Sequence, residues 1–292
     1  MRKEEFVNYL KNKGKRKKTI QFYVYNIERF EEMGKVDADR LTASDVNEML
    51  YKKLKLSPKS IHQITSALRK YFEFLGKRDE AQKIEKPDRY RSEEKERFLY
   101  PDELKTLLNS DKLDEAEKLI VKFLIFLGVR RGVVANLKVR DVNFSSKRVN
   151  VPAEITGNKA SKSYETVELG EELASELERW IEKHRLKPND LLFKPILRKV
   201  KAREQFVTDM IARIGRKVGI KLTPHILRHT FGTYYYYKTK DIIKTRNAMG
   251  QKTVQATGRY IHLAEKLEDY LNKDKEKWAD FMEKTIKEVR SD

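Results

Sequence analysis

"PHILRHTFGTYYYYKTK", Pro224 to Lys240, gathers two histidines, an arginine and four consecutive tyrosines into one short stretch. Read as a helix, it places His225 and Arg228 three residues apart and therefore on one face. His229 follows Arg228 directly and diverges from it. A guanidinium beside an imidazole is what a phosphodiester site needs. The first neutralises phosphoryl oxygens as charge builds, and the second moves a proton near neutral pH. The plain alternative is a structural His–Arg pair. A zinc reading of His225 and His229 fails, because Ile226 stands where the H-E-x-x-H motif has its glutamate. The run Tyr234 to Tyr237 leaves a question open: packing, base stacking or nucleophile.

The surrounding chain of 292 residues is long enough for one large or two ordinary domains. Hydrophobic residues at 39% and aromatics at 10% support packed cores. Lys and Arg number 64 against 45 Asp and Glu, a net charge of +19. With an isoelectric point near 9.7, that excess points to a polyanionic partner, nucleic acid first. The absence of cysteine excludes disulfides, thiolate chemistry and cysteine zinc fingers. The longest apolar run, "LIVKFLIFLGV", is interrupted by Lys122 and is too short to span a membrane. "MRKEEFVNYL" has acidic residues where a signal peptide would be apolar, so a cytoplasmic, DNA-associated location is expected. High Lys and Glu without Cys also suits a thermophilic source.

Residues 1–85 read as helices with short breaks. "SIHQITSALRKYFEFLG" puts Ile61, Ile64, Leu68, Phe72 and Leu75 on one face. "LTASDVNEML" offers Thr42 and Ser44 as caps, with Asp45 early in the helix. Lys11, Lys13, Lys15, Arg16, Lys17 and Lys18 cluster just before "TIQFYVYNIERF". Cations at a helix start suit phosphate contacts; a solvated charge run is the alternative. Residues 86–97, "KPDRYRSEEKER", have no aliphatic residue and read as a linker. A second unit, 98–292, begins at "LYPDELKTLL", with Pro101 and Asp102 as a helix start. "RVNVPAEI" and "YETVEL" around "TGNKASKS" read as a β-hairpin with a polar loop. Helices return from Glu171, and an amphipathic helix at about 273–292 aligns Trp278, Phe281, Met282, Ile286 and Val289.

"HILRHTFGT", followed by "MGQKTVQATGRYIH" and preceded by "FLGVRRGVVANLKVRDV", resembles the catalytic domain of the tyrosine recombinases, the phage-integrase and Xer-like family. The resemblance covers roughly Leu99 to Ala264, with three motifs in the family's order. It implies a mainly α protein with a small antiparallel sheet. An N-terminal helical core-binding domain and a C-terminal catalytic domain would clamp double-stranded DNA. It implies site-specific cutting and rejoining through a 3′-phosphotyrosyl intermediate, without metal, ATP or other cofactor, and a homo-tetramer on DNA.

The resemblance also assigns residues. Arg130, with Arg131 as rival, matches the first arginine and Arg228 the second; together they would grip the scissile phosphate. His225 would handle the nucleophile's proton, and His229 would be supportive. Tyr260, 32 residues after Arg228, matches the nucleophile. A hairpin lysine would serve as general acid; Lys159 is nearer the expected tip, with Lys162 as rival. Gln251 replaces the usual histidine or tryptophan; it can hydrogen-bond a phosphate but cannot transfer a proton. Val133 replaces a common acidic residue. His262 is expected to be non-catalytic. In the tyrosine run, Tyr235 and Tyr236 fall at core positions, and Tyr234 and Tyr237 at more polar ones. The basic cluster would lie on DNA backbone. The last helix would dock either on a neighbouring subunit, so that its removal impairs synapsis before DNA binding, or on its own domain.

Two other classes compete. A type IB topoisomerase-like enzyme would share the chemistry and relax plasmids lacking a cognate site. A catalytically silent DNA-binding protein of the same fold would form no covalent adduct.

Overall fold

The computed structural model describes residues 1–87, 97–152, 155, 165–197, 202–251 and 253–289. The chain divides into two compact units, Met1–Glu93 and Glu94–Asp292.

Among the described residues the first unit is built from helices α1 (Lys3–Asn12), α2 (Lys17–Gly34), α3 (Ala43–Glu48), α4 (Pro58–Phe74) and α5 (Arg78–Lys83). Local chemistry sets the starts. Thr42 and Asp45 form a reciprocal capping box on α3, and Ser57 caps α4 with Pro58 at its first position. The stripe on α4 turns inward as expected: Ile61, Ile64, Leu68 and Phe72 are buried, and Leu75 at the helix end is half-buried. They meet Phe6 and Leu10 of α1 and Ile27 and Phe30 of α2 in one apolar cluster. A short π-helical turn, Met49–Lys53, follows α3.

The second unit begins with α6 (Pro101–Leu108), α7 (Glu115–Leu127) and α8 (Arg131–Asn136). A three-stranded antiparallel sheet follows, ordered β1 (Val142–Asn143), β2 (Arg148–Val151) and β3 (Glu165–Glu168). The predicted hairpin is the β2–β3 pair, with Val149 opposite Val167; β1, only two residues long, carries no alternation that sequence reading can use. The chain continues as α9 (Glu171–Lys183), α10 (Lys194–Leu197), α11 (Arg203–Val218), α12 (Pro224–Thr239), α13 (Ile242–Ala248), α14 (Val254–Thr257), α15 (Arg259–Asn272) and α16 (Lys275–Glu288).

Helix α7 is apolar on nearly every side because it runs through the core. Its one buried carboxylate, Glu117, is compensated by Lys217 of α11 at 2.7 Å. Lys122, which breaks the apolar run, bonds Glu172 of α9 at 2.9 Å and Glu176 at 2.5 Å. The final helix packs on its own unit. Trp278, Met282 and Val289 are buried there, and Lys238 Nζ donates to the carbonyls of Ile286 at 3.2 Å and Val289 at 3.0 Å, closing the helix end. Removing it would therefore strip core from the unit, an effect that comes before any loss of subunit coupling.

Candidate active site

Thr223 caps α12 by accepting from Ile226 N, and Pro224 opens its first turn. That start sets the helix phase. Ile226, Leu227, Thr230, Phe231, Tyr234 and Tyr235 point into the core, while His225, Arg228 and His229 lie on its more open side. The turn after α7 is pressed against this helix. Gly128 has a left-handed φ of 60°, and a Cβ there would lie 2.0 Å from the Phe231 ring. Only glycine meets both demands. Two residues on, Arg130 stands at the N-cap of α8, exposed.

The two arginines converge on one dipeptide. Arg130 Nη2 donates to Gly250 O at 3.0 Å. Arg228 donates through Nη1 to Gly128 O and through Nη2 to Met249 O. Arg131 turns elsewhere: its Nη1 donates to Thr208 Oγ1 of α11 at 2.8 Å. His225 sits among these cations. Partial burial of its ring, then the charges of Arg131, Arg228 and Arg130, hold its pKa below the usual histidine value. A neutral imidazole at pH 7 can accept a proton.

Tyr260, in the first turn of α15, is fully buried at 0% exposure. Its hydroxyl lies 3.0 Å from His229 Nδ1. Burial, then the charges of Arg259, His225 and Arg228, push the His229 pKa down to about 4. At neutral pH the imidazole is uncharged, and it shares a hydrogen bond with the phenol. Gly232, one turn along α12, supplies the floor: a Cβ there would lie 2.5 Å from Tyr260 Cε1. A side chain with no accessible surface cannot touch a phosphate on the protein surface from this position. His229, read as supportive, is thus the residue in contact with Tyr260. Sequence gives no signal for that contact, since both histidines of the motif have equal claim.

Gln251 follows the dipeptide that the arginines hold, and its side-chain oxygen accepts from Thr257 Oγ1 at 2.7 Å. Lys159 and Lys162 lie outside the described residues. Val133 is buried in the core, so it offers the site no charge. A carboxylate reaches this turn from another helix instead: a Cβ on Gly132 would lie 3.7 Å from Glu204 Oε1. His262 is exposed and pairs with Glu265 at 3.2 Å.

The tyrosine run needs one correction. Tyr235 is buried as expected, but its buried neighbour is Tyr234 rather than Tyr236, which is half-buried. Tyr234 can enter the core because its hydroxyl finds Leu99 O at 3.3 Å. Tyr237 is half-buried under Lys240, whose Nζ lies 4.8 Å from the ring centre.

In the first unit Lys11, Lys13, Lys15, Arg16, Lys17 and Lys18 are all exposed around the α1–α2 turn. A groove of about 560 Å³ beside it is lined by Lys11, Lys15 and Lys17 over Val7, Ile20 and Val24. Among the described residues no helix is long and apolar enough to cross a membrane.

A tyrosine held between an arginine-and-histidine helix and its glycine floor, in a chain with a separate N-terminal helical unit, describes a class of DNA strand-transfer proteins. The chain belongs to the phage integrase family: residues 97–266 match the family itself, and residues 4–79 match the phage integrase N-terminal SAM-like domain. This is the family of tyrosine recombinases, enzymes that cut and rejoin DNA through a tyrosine intermediate. Over 275 residues the chain is 34% identical to tyrosine recombinase XerA of Pyrococcus horikoshii, covering 91% of this chain and 92% of that protein. It is 32% identical over 268 residues to tyrosine recombinase XerA of Pyrococcus furiosus, covering 90% of each. Relatives from a genus of thermophiles accord with the Lys- and Glu-rich, cysteine-free composition. A crystal structure of XerA recombinase is similar with a TM-score of 0.51 at 27% identity, covering 93% of this chain and 96% of that one. A lambda integrase dimer bound to a COC′ core site shares the fold at a TM-score of 0.68 and 15% identity, covering 88% and 93%. The mainly α architecture with its small antiparallel sheet is the one these proteins share.

Proposed function

We propose that this protein is a site-specific recombinase or integrase that cuts and rejoins double-stranded DNA through Tyr260, with the first unit as the DNA-binding domain and the second as the catalytic domain. The observation that carries the reading is the convergence of Arg130 and Arg228 on one turn, with Tyr260 hydrogen-bonded to His229, the residue after Arg228 on the same helix.

In the reaction, Arg130 and Arg228 take the non-bridging oxygens of the scissile phosphate, exchanging the carbonyls of Met249 and Gly250 for a charged acceptor. Tyr260 leaves its seat and attacks phosphorus, giving a 3′-phosphotyrosyl bond and a free 5′ hydroxyl. A phenol with an ordinary pKa near 10 needs a base and a cationic pocket to react at neutral pH. His229 holds the phenol by a hydrogen bond in the resting position, and neutral His225 takes the proton beside the phosphate. Lys159, with Lys162 as rival, protonates the leaving 5′ oxygen. The covalent link conserves the phosphodiester energy, so religation requires neither ATP nor metal. The basic cluster from Lys11 to Lys18 holds DNA backbone. The working assembly is a tetramer on DNA, in the cytoplasm.

Nicked half-site duplexes test the reading: wild-type protein should form an SDS-resistant adduct in the presence of EDTA, and Tyr260→Phe should form none. A supercoiled plasmid without a cognate site should remain supercoiled, whereas a topoisomerase-like enzyme would relax it.

A further inference from the structure

Gln251 has an amide with two unlike ends, and which end faces the phosphate decides whether it helps. The oxygen end accepts; the nitrogen end donates. A phosphate is acceptor-only, so an amide oxygen turned toward it would repel it and the NH2 end would bind it.

On its N-terminal side the main chain at Gln251 is held by a bond that outlasts the exchange at the arginines: Gln251 N donates to Arg246 O at 3.0 Å. The side chain is fixed by a hydrogen bond that takes no part in the reaction steps above. Thr257 is fully buried, and its Oγ1 lies 2.7 Å from Gln251 Oε1. The other acceptor near that hydroxyl, Thr253 O, is farther away at 3.3 Å. A hydroxyl has one hydrogen, and the shorter contact takes it. The amide oxygen is thereby anchored inward, which leaves the NH2 end as the one available to an anion.

We propose that Thr257 is a positioning residue for Gln251: by holding the amide oxygen, it fixes the orientation in which Gln251 donates to the scissile phosphate. The inference rests on the strand-transfer reading above. It assigns Gln251 a donor's role that needs no proton transfer, and it assigns Thr257, which carries no reacting group, the task of keeping that donor aimed. Thr257 lies three residues before Tyr260, so one short segment carries both the orienting hydroxyl and the attacking phenol.

The test uses the full chain and duplexes carrying a nick flanked by randomised sequence. Covalent adducts of the wild type are recovered on denaturing gels, and the most frequent captured duplex becomes the substrate. Thr257→Val keeps the shape and removes the hydroxyl. It should slow single-turnover adduct formation roughly 10- to 100-fold, with DNA affinity within about threefold of wild type. Thr257→Ser restores the hydroxyl and should recover a rate within about threefold of wild type; a packing defect would not be rescued this way. Gln251→Ala should match Thr257→Val, and the double variant should be no slower than the slower single, because both remove one oriented donor. Wild-type rates for Thr257→Val, or a double variant slowed by the product of the two singles, would overturn the inference while leaving the recombinase reading intact. A wild type that captures no duplex would overturn that reading, and this inference with it.

Discussion

The α1–α2 corner and the α12 cluster both concentrate positive charge, and they are built in opposite ways. At the corner six cationic side chains are exposed, Lys13 with its Nζ 5.9 Å from the centre of the Tyr9 ring. At α12 two guanidiniums are bonded to named backbone carbonyls. Solvated cations attract a polyanion through counterion release, with little demand on geometry. Anchored guanidiniums attract one phosphate at one place. The corner is also unfavourable to the helix it opens. Arg16 caps α2, Lys17 and Lys18 occupy its first turn, and no acidic residue offsets the positive end of the helix dipole. A phosphate bound there would supply that missing charge. Charge alone therefore does not tell the two regions apart; the aim of Arg130 and Arg228 at neighbouring carbonyls of one turn does.

The sharpest way to separate the two regions is Tyr260→Phe. It should lower adduct formation by at least roughly 10⁴-fold, since no other group replaces the attacking oxygen, and leave DNA affinity within about twofold. Tyr235→Phe is the control: buried on α12, it should cleave at the wild-type rate. An adduct that survives in Tyr260→Phe and disappears in Tyr235→Phe would reverse the assignment.

The converse change replaces all six corner cations with glutamine. Affinity near 100 mM salt should fall on the order of 10²- to 10³-fold, and the slope of log affinity against log salt should shrink by roughly 0.9 for each phosphate that is no longer neutralised. Adduct formation at saturating DNA should be unchanged. An unchanged salt slope would mean that these side chains do not meet the backbone.

What could be read in advance follows the same division. Helix starts such as Thr42–Asp45 and Ser57–Pro58 were legible because capping is a matter of three or four consecutive residues. The apolar stripe of α4 was legible because it repeats at the helical period. The arginines and histidines were found through motif spacing. Three things were not legible. Tyr234 enters the core through a bond to a carbonyl 135 residues away. His229 meets Tyr260 across 31 residues. Gln251, in the turn after α13, takes its partner from Thr257 at the end of α14. The first two depend on where distant segments meet and the third on how a short turn folds back on itself, and neither periodicity nor local propensity encodes either.

The buried imidazole yields a stability signature that the corner lacks. His229 has a folded pKa of about 4 against about 6.5 unfolded, so below pH 6.5 the unfolded chain binds a proton that the folded chain refuses. Stability should be complete above pH 6.5 and fall as pH drops toward 4, by on the order of 3 kcal/mol from this residue. Denaturant titrations at pH 7 and pH 5 should differ less in His229→Gln than in wild type. Equal differences in the two proteins would mean that the ring is more solvated than its surroundings indicate.

The smallest expected effect probes the floor of the site. A methyl group at Gly232 would lie 2.5 Å from Cε1 and 2.6 Å from Cζ of Tyr260, well inside van der Waals distance, so one of the two must shift. The helix backbone that carries Gly232 is anchored before it by buried Phe231 and by the bond from the Leu99 main-chain N–H to the Thr230 hydroxyl at 2.9 Å, and after it by buried Tyr234 and Tyr235. The ring is therefore what gives way. Gly232→Ala should lower unfolding stability by about 1–3 kcal/mol, the usual cost of overpacking. The same change in a Tyr260→Ala background should cost nothing, because the space under the methyl is then empty, and alanine's higher helix propensity should add a few tenths of a kcal/mol of stability. A penalty that persists without the ring would locate the strain in the helix itself. A penalty that vanishes would establish that Tyr260 rests against Gly232 in solution, in a seat the phenol would have to leave to attack a phosphate, whereas the corner lysines already stand exposed.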